Sequence, residues 1–247
     1  MKFLYKNISS ALRLLILLSL TILFMEGSVK AQPLPPDVGI VTQFSGEATY
    51  WNEGYQKTPE KAQVFMKIRL GDYFKIAVGG MIQLVYFQNG RQETWKGLVS
   101  FIVGDVQSRG EGGRELPGQP EVVILSTEAS QGMRRIPVLL RRARLSRSGG
   151  GVMLRGTPEA SQKSIVPTKE ERAEIAMAKE DYQKLRKQAK PNDITPELTL
   201  LGVLADYEQY GEMEKIIKDA IKIQPDNQVL RELDEWVKTQ KRSQLKK

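Results

Sequence analysis

Short alternating runs of apolar and polar residues, separated by glycine turns, fill the stretch from Gly71 to Asp105. Apolar and polar side chains alternate through Ile82-Gln83-Leu84 and again from Gln92 to Lys96, with Asn89-Gly90 between the two runs. An Asn-Gly pair in that position is a strong hairpin signal, because both residues tolerate positive φ. The pattern predicts an all-β module centred on this hairpin.

Three further strands are predicted upstream of the hairpin. Apolar positions recur from Val38 to Phe44 and from Ala48 to Trp51, on either side of Ser45-Gly46. The polar stretch from Asn52 to Lys61 is predicted to be a connection, and Val64 to Leu70 a strand that leads into Gly71-Asp72.

The order of these strands and turns resembles the FecR-type domain over residues 38–106. The resemblance rests on Gly46, Ile68-x-Leu70-Gly71-Asp72, Gly79-Gly80, Asn89-Gly90 and Val103-Gly104-Asp105. It implies a periplasmic, non-catalytic β-roll or β-solenoid. The chain departs from the family at Lys75-Ile76, where a threonine is common, and iron signalling is not carried over.

Glycine and proline dominate residues 107–120, which are predicted to form a linker. Residues 121–156 are predicted to form an arginine-rich β segment. Its strands are expected at Glu121 to Ser126, at Met133 to Leu145 and at Val152 to Arg155.

Arginine is concentrated in this segment, where seven arginines occur without lysine or acidic residues between Glu128 and Glu159. Their planar, bidentate donors suit carboxylate or phosphate partners, so they are candidates for binding a polyanion. The alternative is a solvated face that covers apolar surface and pairs with the acidic helices downstream. The seven are Arg134, Arg135, Arg141, Arg142, Arg144, Arg147 and Arg155.

The last third of the chain, residues 157–240, carries helical periodicity. Thr168 and Glu171 form a capping-box signature for a helix that runs to about Ala189. Thr195-Pro196 is predicted to start a second helix that ends at Tyr210-Gly211. A third helix is predicted before Pro225 and a fourth after it.

Pro191 and Pro225 lie 34 residues apart, each followed by an Asn and Asp pair, and residues 168–238 resemble a degenerate tetratricopeptide repeat. The resemblance implies an antiparallel helical unit that binds a peptide or a partner helix. A plain helical cap on the rest of the protein is the alternative, and fewer than three repeats seldom stand alone. The overall prediction is a segregated α+β fold.

The N-terminal residues carry an export signal. Lys2, Lys6 and Arg13 precede an apolar run of about a dozen residues, and Val29-Lys30-Ala31 has the pattern of a cleavage site. Residues 1–31 are therefore predicted to be a signal peptide that delivers the chain to the bacterial periplasm. The alternative is an inner-membrane anchor at residues 12–25.

The chain has no histidine and no cysteine, which removes the usual general base, thiol nucleophile and soft metal ligands. No enzyme activity, cofactor or metal is expected. Two minor alternatives are paired carboxylates from Glu47, Glu53, Asp72 or Asp105, as in a wall-polysaccharide enzyme, and an aromatic platform for sugars. The aromatic residues concerned are Trp51, Tyr73, Tyr86, Phe87, Trp95 and Phe101.

Together these features predict an exported binding or scaffold protein of the bacterial envelope, with an envelope protein and an anionic polymer or lipid surface as partners. Nucleic acid is not an expected partner, because no recognition motif accompanies the arginines. An accessory role in FecR-type envelope signalling is the alternative.

Overall fold

The computed structural model describes residues 34–116, 118–147 and 167–245. The described residues from Pro35 onward belong to one compact unit. The predicted signal peptide, the predicted strand from Val152 to Arg155 and Arg155 itself lie outside the described residues. Within the described residues, the N-terminal part contains ten strands and the C-terminal part five α-helices, so the α+β prediction is confirmed at this level.

The ten strands form two five-stranded antiparallel sheets. Sheet A has the order β10-β7-β6-β1-β4, and sheet B has the order β3-β2-β5-β8-β9. The strands are β1 Asp37–Ser45, β2 Ala48–Asn52, β3 Gln56–Lys61, β4 Lys67–Arg69, β5 Tyr73–Ile76, β6 Met81–Tyr86, β7 Arg91–Lys96, β8 Val99–Val103, β9 Ser108–Arg109 and β10 Glu121–Ile124.

The helices follow β10. A short 3-10 turn at Glu111–Gly113 precedes that strand. The helices are α1 Thr127–Arg147, α2 Lys169–Gln188, α3 Thr195–Asp206, α4 Tyr210–Ile223 and α5 Gln228–Gln244.

Sheet A is the middle of three layers. Its Ile82 and Leu84 side chains belong to the apolar core shared with sheet B, where Phe74 and Phe101 stack at 5.5 Å between ring centroids. On the opposite face, Val85 joins a second core made mainly by the helices. Both faces of β6 are therefore buried, and the helical unit packs on the β part.

The predicted hairpin is confirmed. Strands β6 and β7 pair in register with Val85 opposite Gln92, and Asn89 and Gly90 lie in the loop between them. Gly90 has φ +65°, and a Cβ there would lie 2.5 Å from the Leu125 carbonyl oxygen. Glycine is needed at this position for both reasons.

The prediction of a strand from Met133 to Leu145 is wrong, because this stretch lies within helix α1. Its buried residues follow helical spacing: Ala129, Met133, Ile136, Leu140 and Ala143 all face the helical core. Pro137 lies inside the helix, although proline lacks the N–H that a helix interior uses. The seven-arginine segment therefore contains a helix where a sheet face was expected.

Three smaller predictions also need correction. Residues Gln56–Lys61 form an exposed strand inside the expected polar connection. The predicted strand from Val64 to Leu70 is only three residues long. Gly211 lies in the first turn of α4, and the helix before it ends at Asp206.

Helix starts are well explained by local chemistry. The Thr168 hydroxyl accepts from the Glu171 N–H at 3.2 Å, and the Glu171 carboxylate accepts from the Thr168 N–H at 2.8 Å, which confirms the capping box. Thr195 does not cap α3, because it is the first residue of that helix and Ile194 is the N-cap. Asp193 accepts the Thr195 N–H at 2.9 Å. In the described residues, no helix is long and apolar enough to cross a membrane.

Candidate functional site

Six of the seven arginines of the candidate polyanion site lie on helix α1, and they differ in exposure and in partners. Arg134, Arg141, Arg142 and Arg144 are exposed, whereas Arg135 is half-buried. The Arg135 Nε lies 2.8 Å from the Asp206 carboxylate, so this side chain links α1 to α3. Arg135 therefore fits the alternative interpretation, in which arginines pair with acidic helices.

Two further arginines lie near aromatic side chains. The Arg134 guanidinium carbon lies 5.7 Å from the centre of the Phe87 ring, in the geometry of a cation–π contact. Burial raises the pKa of Tyr210, and the nearby charge of Arg142 opposes that shift. Arg147 ends α1, and Arg155 lies outside the described residues.

The exposed face of α1 combines cationic and apolar residues. Arg134, Val138 and Arg141 occupy positions i, i+4 and i+7, which share one side of a helix. The Val138 side chain is 49% exposed. Together with Arg144 these residues define what we call the arginine face. Charged donors around an exposed apolar residue suit an anionic surface with apolar parts.

The carboxylates considered for catalysis differ in burial. Glu47, Glu53 and Asp105 are exposed, whereas Asp72 is fully buried. Asp72 accepts from the Asn52 side-chain amide at 2.8 Å, from the Tyr55 hydroxyl at 2.7 Å and from the Arg69 N–H at 2.8 Å. This carboxylate ties three segments of the β module together.

The environment of Asp72 shifts the pKa of Asp72 itself and that of its neighbour Tyr55. Burial raises the pKa of Asp72, although its three hydrogen bonds oppose the shift. Burial and the hydrogen bond to Asp72 raise the pKa of Tyr55 to about 12. The Tyr55 hydroxyl therefore stays protonated and donates to Asp72 across the ordinary pH range.

Replacing Asp72 by alanine is expected to lower the free energy of unfolding by about 2 kcal/mol, because three donors lose their acceptor. Asp105→Ala is the matched control, since Asp105 also follows a glycine but is exposed, and it should change stability by less than about 0.5 kcal/mol. Urea unfolding followed by Trp fluorescence measures both. Equal effects would contradict the anchoring role of Asp72.

The aromatic residues separate into core and surface groups. Tyr86, Trp95 and Phe101 are at most 2% exposed, and Trp95 stacks on Phe101 with ring centroids 4.9 Å apart. Trp51 and Tyr73 are half-buried and their ring centroids lie 4.0 Å apart. Only this pair, of the six aromatic residues considered, presents partly exposed rings, because Phe87 is also buried.

A polar cavity lies between sheet A and the α2–α3 connection and was missed by the sequence analysis. We call it the Asp193 cavity, and its volume is about 150 Å³. Its floor is formed by Gln83, Gln92, Thr94, Asp193 and Thr195, all of which are less than 9% exposed.

The Asp193 carboxylate holds this floor together. Its Oδ2 accepts from the side-chain amides of Gln83 at 3.2 Å and Gln92 at 3.0 Å. Its Oδ1 accepts from the Thr195 N–H. In the described part of the chain, no lysine or arginine nitrogen lies within 4.0 Å of this carboxylate, whose partners are all neutral.

The polar residues of this floor are visible in the sequence, but what covers them is not. Gln83, Gln92 and Thr94 alternate with apolar or large residues, which is the pattern of a sheet with one solvated face. The helical layer covers that face, so these polar residues are buried beneath α2 and α3. Asp193 belongs to the Asn and Asp pair after Pro191, noted only as part of a repeat.

Clusters of acidic side chains do not provide a metal site in the described ranges, where no group of three or more could hold an ion. Comparisons with protein-family models, curated proteins and solved structures return no match for this chain.

Proposed function

We propose that this protein is exported to the bacterial periplasm and acts there without catalysis, as a binding or scaffold protein of the envelope. The observation that carries the proposal is the arginine face of α1, which presents Arg134, Arg141 and Arg144 beside the exposed Val138. Phosphate and carboxylate groups of envelope lipids and polymers match such donors.

The remaining parts of the proposal rest on the sequence. The charged N-terminus, apolar run and small residues up to Ala31 support export. The glycine turns and Gly71-Asp72 support a FecR-like β module, and the spacing of Pro191 and Pro225 supports a tetratricopeptide-like unit. In this proposal, the β module and the helical unit provide surfaces for an envelope protein partner.

Packing against α3 holds helix α1, which carries the arginine face, in place. Helix α1 packs on α3 through the Arg135–Asp206 ion pair and through its buried apolar side, with Met133 and Ile136 fully buried. A packed helix fixes the backbone positions from which its outward side chains extend, so no backbone has to be ordered when an anionic partner binds.

Replacing Arg134, Arg141 and Arg144 together by alanine is expected to weaken binding to anionic vesicles about a hundred-fold. Each cation contributes about 1 kcal/mol at an anionic membrane, and about 1.4 kcal/mol corresponds to ten-fold. Co-sedimentation of the mature chain with phosphatidylglycerol vesicles, and in a second arm with purified peptidoglycan, measures this loss at low and physiological salt.

The matched control removes three exposed lysines from other surfaces, by Lys57→Ala, Lys75→Ala and Lys187→Ala together, so that the net charge changes equally. This control should keep most of the binding. Equal losses in the two triple variants would show that net charge alone attracts the protein, and no binding of the wild type in either arm would overturn the proposal.

A further inference from the structure

The Asp193 cavity opens at the free edge of sheet A. Its floor residues are buried, whereas Glu121, Val123, Gln188 and Lys190 at its other end are exposed. Glu121 and Val123 belong to β10, the edge strand of sheet A. A ligand would therefore enter between β10 and the C-terminal end of α2, and the exposed Lys190–Glu121 ion pair that spans this mouth must open to admit it.

The interior changes character from the mouth to the floor. Aliphatic side chains line the passage, namely Val123, Leu125, Leu185 and Ala189. The floor then presents the Asp193 carboxylate and the polar atoms around it. An apolar passage that ends at a carboxylate matches an alkyl chain with a terminal ammonium group.

The floor lacks a positive charge for its carboxylate. The Asp193 carboxylate has only neutral donors, and the nearby Arg186 guanidinium donates to the Asp193 main-chain carbonyl and to Glu197 at 3.0 Å. Glu121 is paired with Lys190 and Lys96. Cations near the cavity are thus paired with other acids. Of the two acidic residues that line the cavity, Glu121 and Asp193, only the Asp193 carboxylate has no cationic partner within 4.0 Å in the described residues. An incoming cation would pair with it.

The Thr195 hydroxyl gives an independent indication. Thr195 is 1% exposed, and its Oγ1 has no hydrogen-bond partner in the structure. A buried hydroxyl left unpaired is costly, so such atoms call for an explanation. A donor group bound beside Asp193 would satisfy it.

Strand β10 offers main-chain partners at the mouth of the cavity. The Leu125 N–H donates to the Gly90 carbonyl at 2.8 Å, and the register continues with Ile124 opposite Arg91. Hydrogen-bonded pairs alternate along antiparallel strands, so the N–H and C=O groups of Val122 and Ile124 point away from β7. The Ile124 side chain is 63% exposed. The edge is thus available for another strand.

We propose that β10 and the Asp193 cavity form one docking site for an extended peptide that carries a lysine. The peptide adds a strand to β10 through Val122 and Ile124, and its lysine enters the cavity so that the ammonium group donates to Asp193 and Thr195. Strand addition commonly combines main-chain hydrogen bonds for affinity with a side-chain pocket for specificity.

The size of the cavity agrees with this ligand. A cavity of about 150 Å³ accommodates a molecule of about six heavy atoms such as benzene, and the lysine side chain has five atoms beyond Cα. The site is separate from the arginine face, so the inference does not depend on the proposed function.

The primary test uses a labelled peptide, acetyl-Thr-Val-Thr-Lys-Thr-Val-Thr-amide, and the same peptide with norleucine in place of lysine. Norleucine keeps the alkyl chain and removes the charge. Fluorescence anisotropy with the mature chain should show the lysine peptide binding at least about ten-fold more tightly, as expected for charge-assisted hydrogen bonds. Equal affinities, or no binding of the lysine peptide, would overturn the proposal.

Two substitutions on the floor test the ammonium contacts. Asp193→Asn should bring the affinities of the two peptides within about two-fold of each other, since the charge is lost. Thr195→Val should weaken the lysine peptide several-fold without lowering the melting temperature, because Oγ1 makes no bond within the free protein. A Thr195→Val protein that binds as the wild type does would contradict this hydroxyl contact, even if Asp193→Asn fails to fold.

The edge of the sheet is tested separately. Ile124→Pro removes an outward N–H and should weaken both peptides, whereas Ile124→Ala keeps the N–H and should retain binding. Two results would overturn docking of a peptide strand. In the first, free butylammonium binds as tightly as the lysine peptide, and Ile124→Pro does not weaken binding of the peptide. In the second, this chain forms a dimer that Ile124→Pro dissociates.

Discussion

The Gly202→Ala variant is expected to be destabilised by about 3 kcal/mol or more, because helices α1 and α3 touch backbone to backbone at this residue. A Cβ at position 202 would lie 2.0 Å from the Gly132 carbonyl oxygen and 2.7 Å from its carbonyl carbon. These are main-chain atoms of α1 at a buried position, so the two helices must separate. Overpacking of a core costs about 1–3 kcal/mol and occasionally more.

The contact is reciprocal along the helix pair. A Cβ at Gly132 would lie 2.5 Å from the Thr199 carbonyl oxygen, one turn before Gly202 on α3. Gly132→Ala should therefore be destabilising by a similar amount. Both substitutions would also displace α1, which carries the arginine face, and so should reduce vesicle binding together with stability.

Gly211→Ala is the matched control for this prediction. Gly211 also lies in a helix, α4, but a Cβ there meets nothing within 4 Å. Alanine is favoured over glycine in a helix by about 1 kcal/mol, so this variant should be as stable as the wild type or slightly more stable. The sequence did not predict that Gly202 and Gly211 would differ in this way, because Gly211 was predicted to end a helix.

Thermal unfolding followed by circular dichroism measures the three variants. A loss of about 3 kcal/mol corresponds to a melting temperature lower by about 6–12 °C for a chain of this size. If Gly202→Ala and Gly132→Ala unfold at the wild-type temperature, α1 and α3 do not cross at the distance described, and the placement of the arginine face is wrong.

The sequence predicted the elements whose signals are local. Asn89-Gly90 marked the β6–β7 hairpin, and Thr168 with Glu171 marked the start of α2, because turn and cap chemistry acts over a few residues. Helix α1 was mistaken for a strand. Met133, Ile136 and Leu140 follow helical spacing, and their burial against the helical core stabilises a helix that contains Pro137.

The Asp193 cavity could not be predicted because it depends on distant parts of the chain. Gln83 and Asp193 are 110 residues apart and meet only when the helical layer covers sheet A. Sequence alternation assigns Gln83 to a polar face but does not say what covers that face. The arginine composition was visible, but which arginines remain exposed depends on acids such as Asp206, on another helix.

Removing the Arg186 side chain is expected to cost about 3–5 kcal/mol, because it leaves the Glu197 carboxylate buried without its cation. Glu197 is 1% exposed, and Arg186 Nη1 donates to it at 3.0 Å. The same guanidinium donates to the carbonyl oxygens of Lys190 and Asp193 at 2.6 Å each. Arg186 therefore holds together the connection between α2 and α3 that also forms the cavity floor.

Urea unfolding of Arg186→Ala measures the loss, and Lys184→Ala on the same helix is the control. Lys184 pairs with Glu180, but both side chains are more than 60% exposed, so its removal should cost less than about 1 kcal/mol. The double variant Arg186→Met with Glu197→Met should lose less than Arg186→Ala alone, since no buried charge is left unpaired.

The loss of unfolding free energy in Arg186→Ala, called the deficit below, should depend on pH in a defined direction. Burial raises the pKa of Glu197, and the charge and hydrogen bond of Arg186 oppose that shift, so the pKa rises further when Arg186 is removed. A folded state with a raised carboxyl pKa binds the proton more tightly than the unfolded chain, so stability is lost as pH rises through that range. The deficit should be full at about pH 7 and smaller at about pH 4, where Glu197 is protonated in the variant. A deficit of equal size at both pH values would assign the loss to the carbonyl hydrogen bonds of Arg186 and not to the unpaired charge.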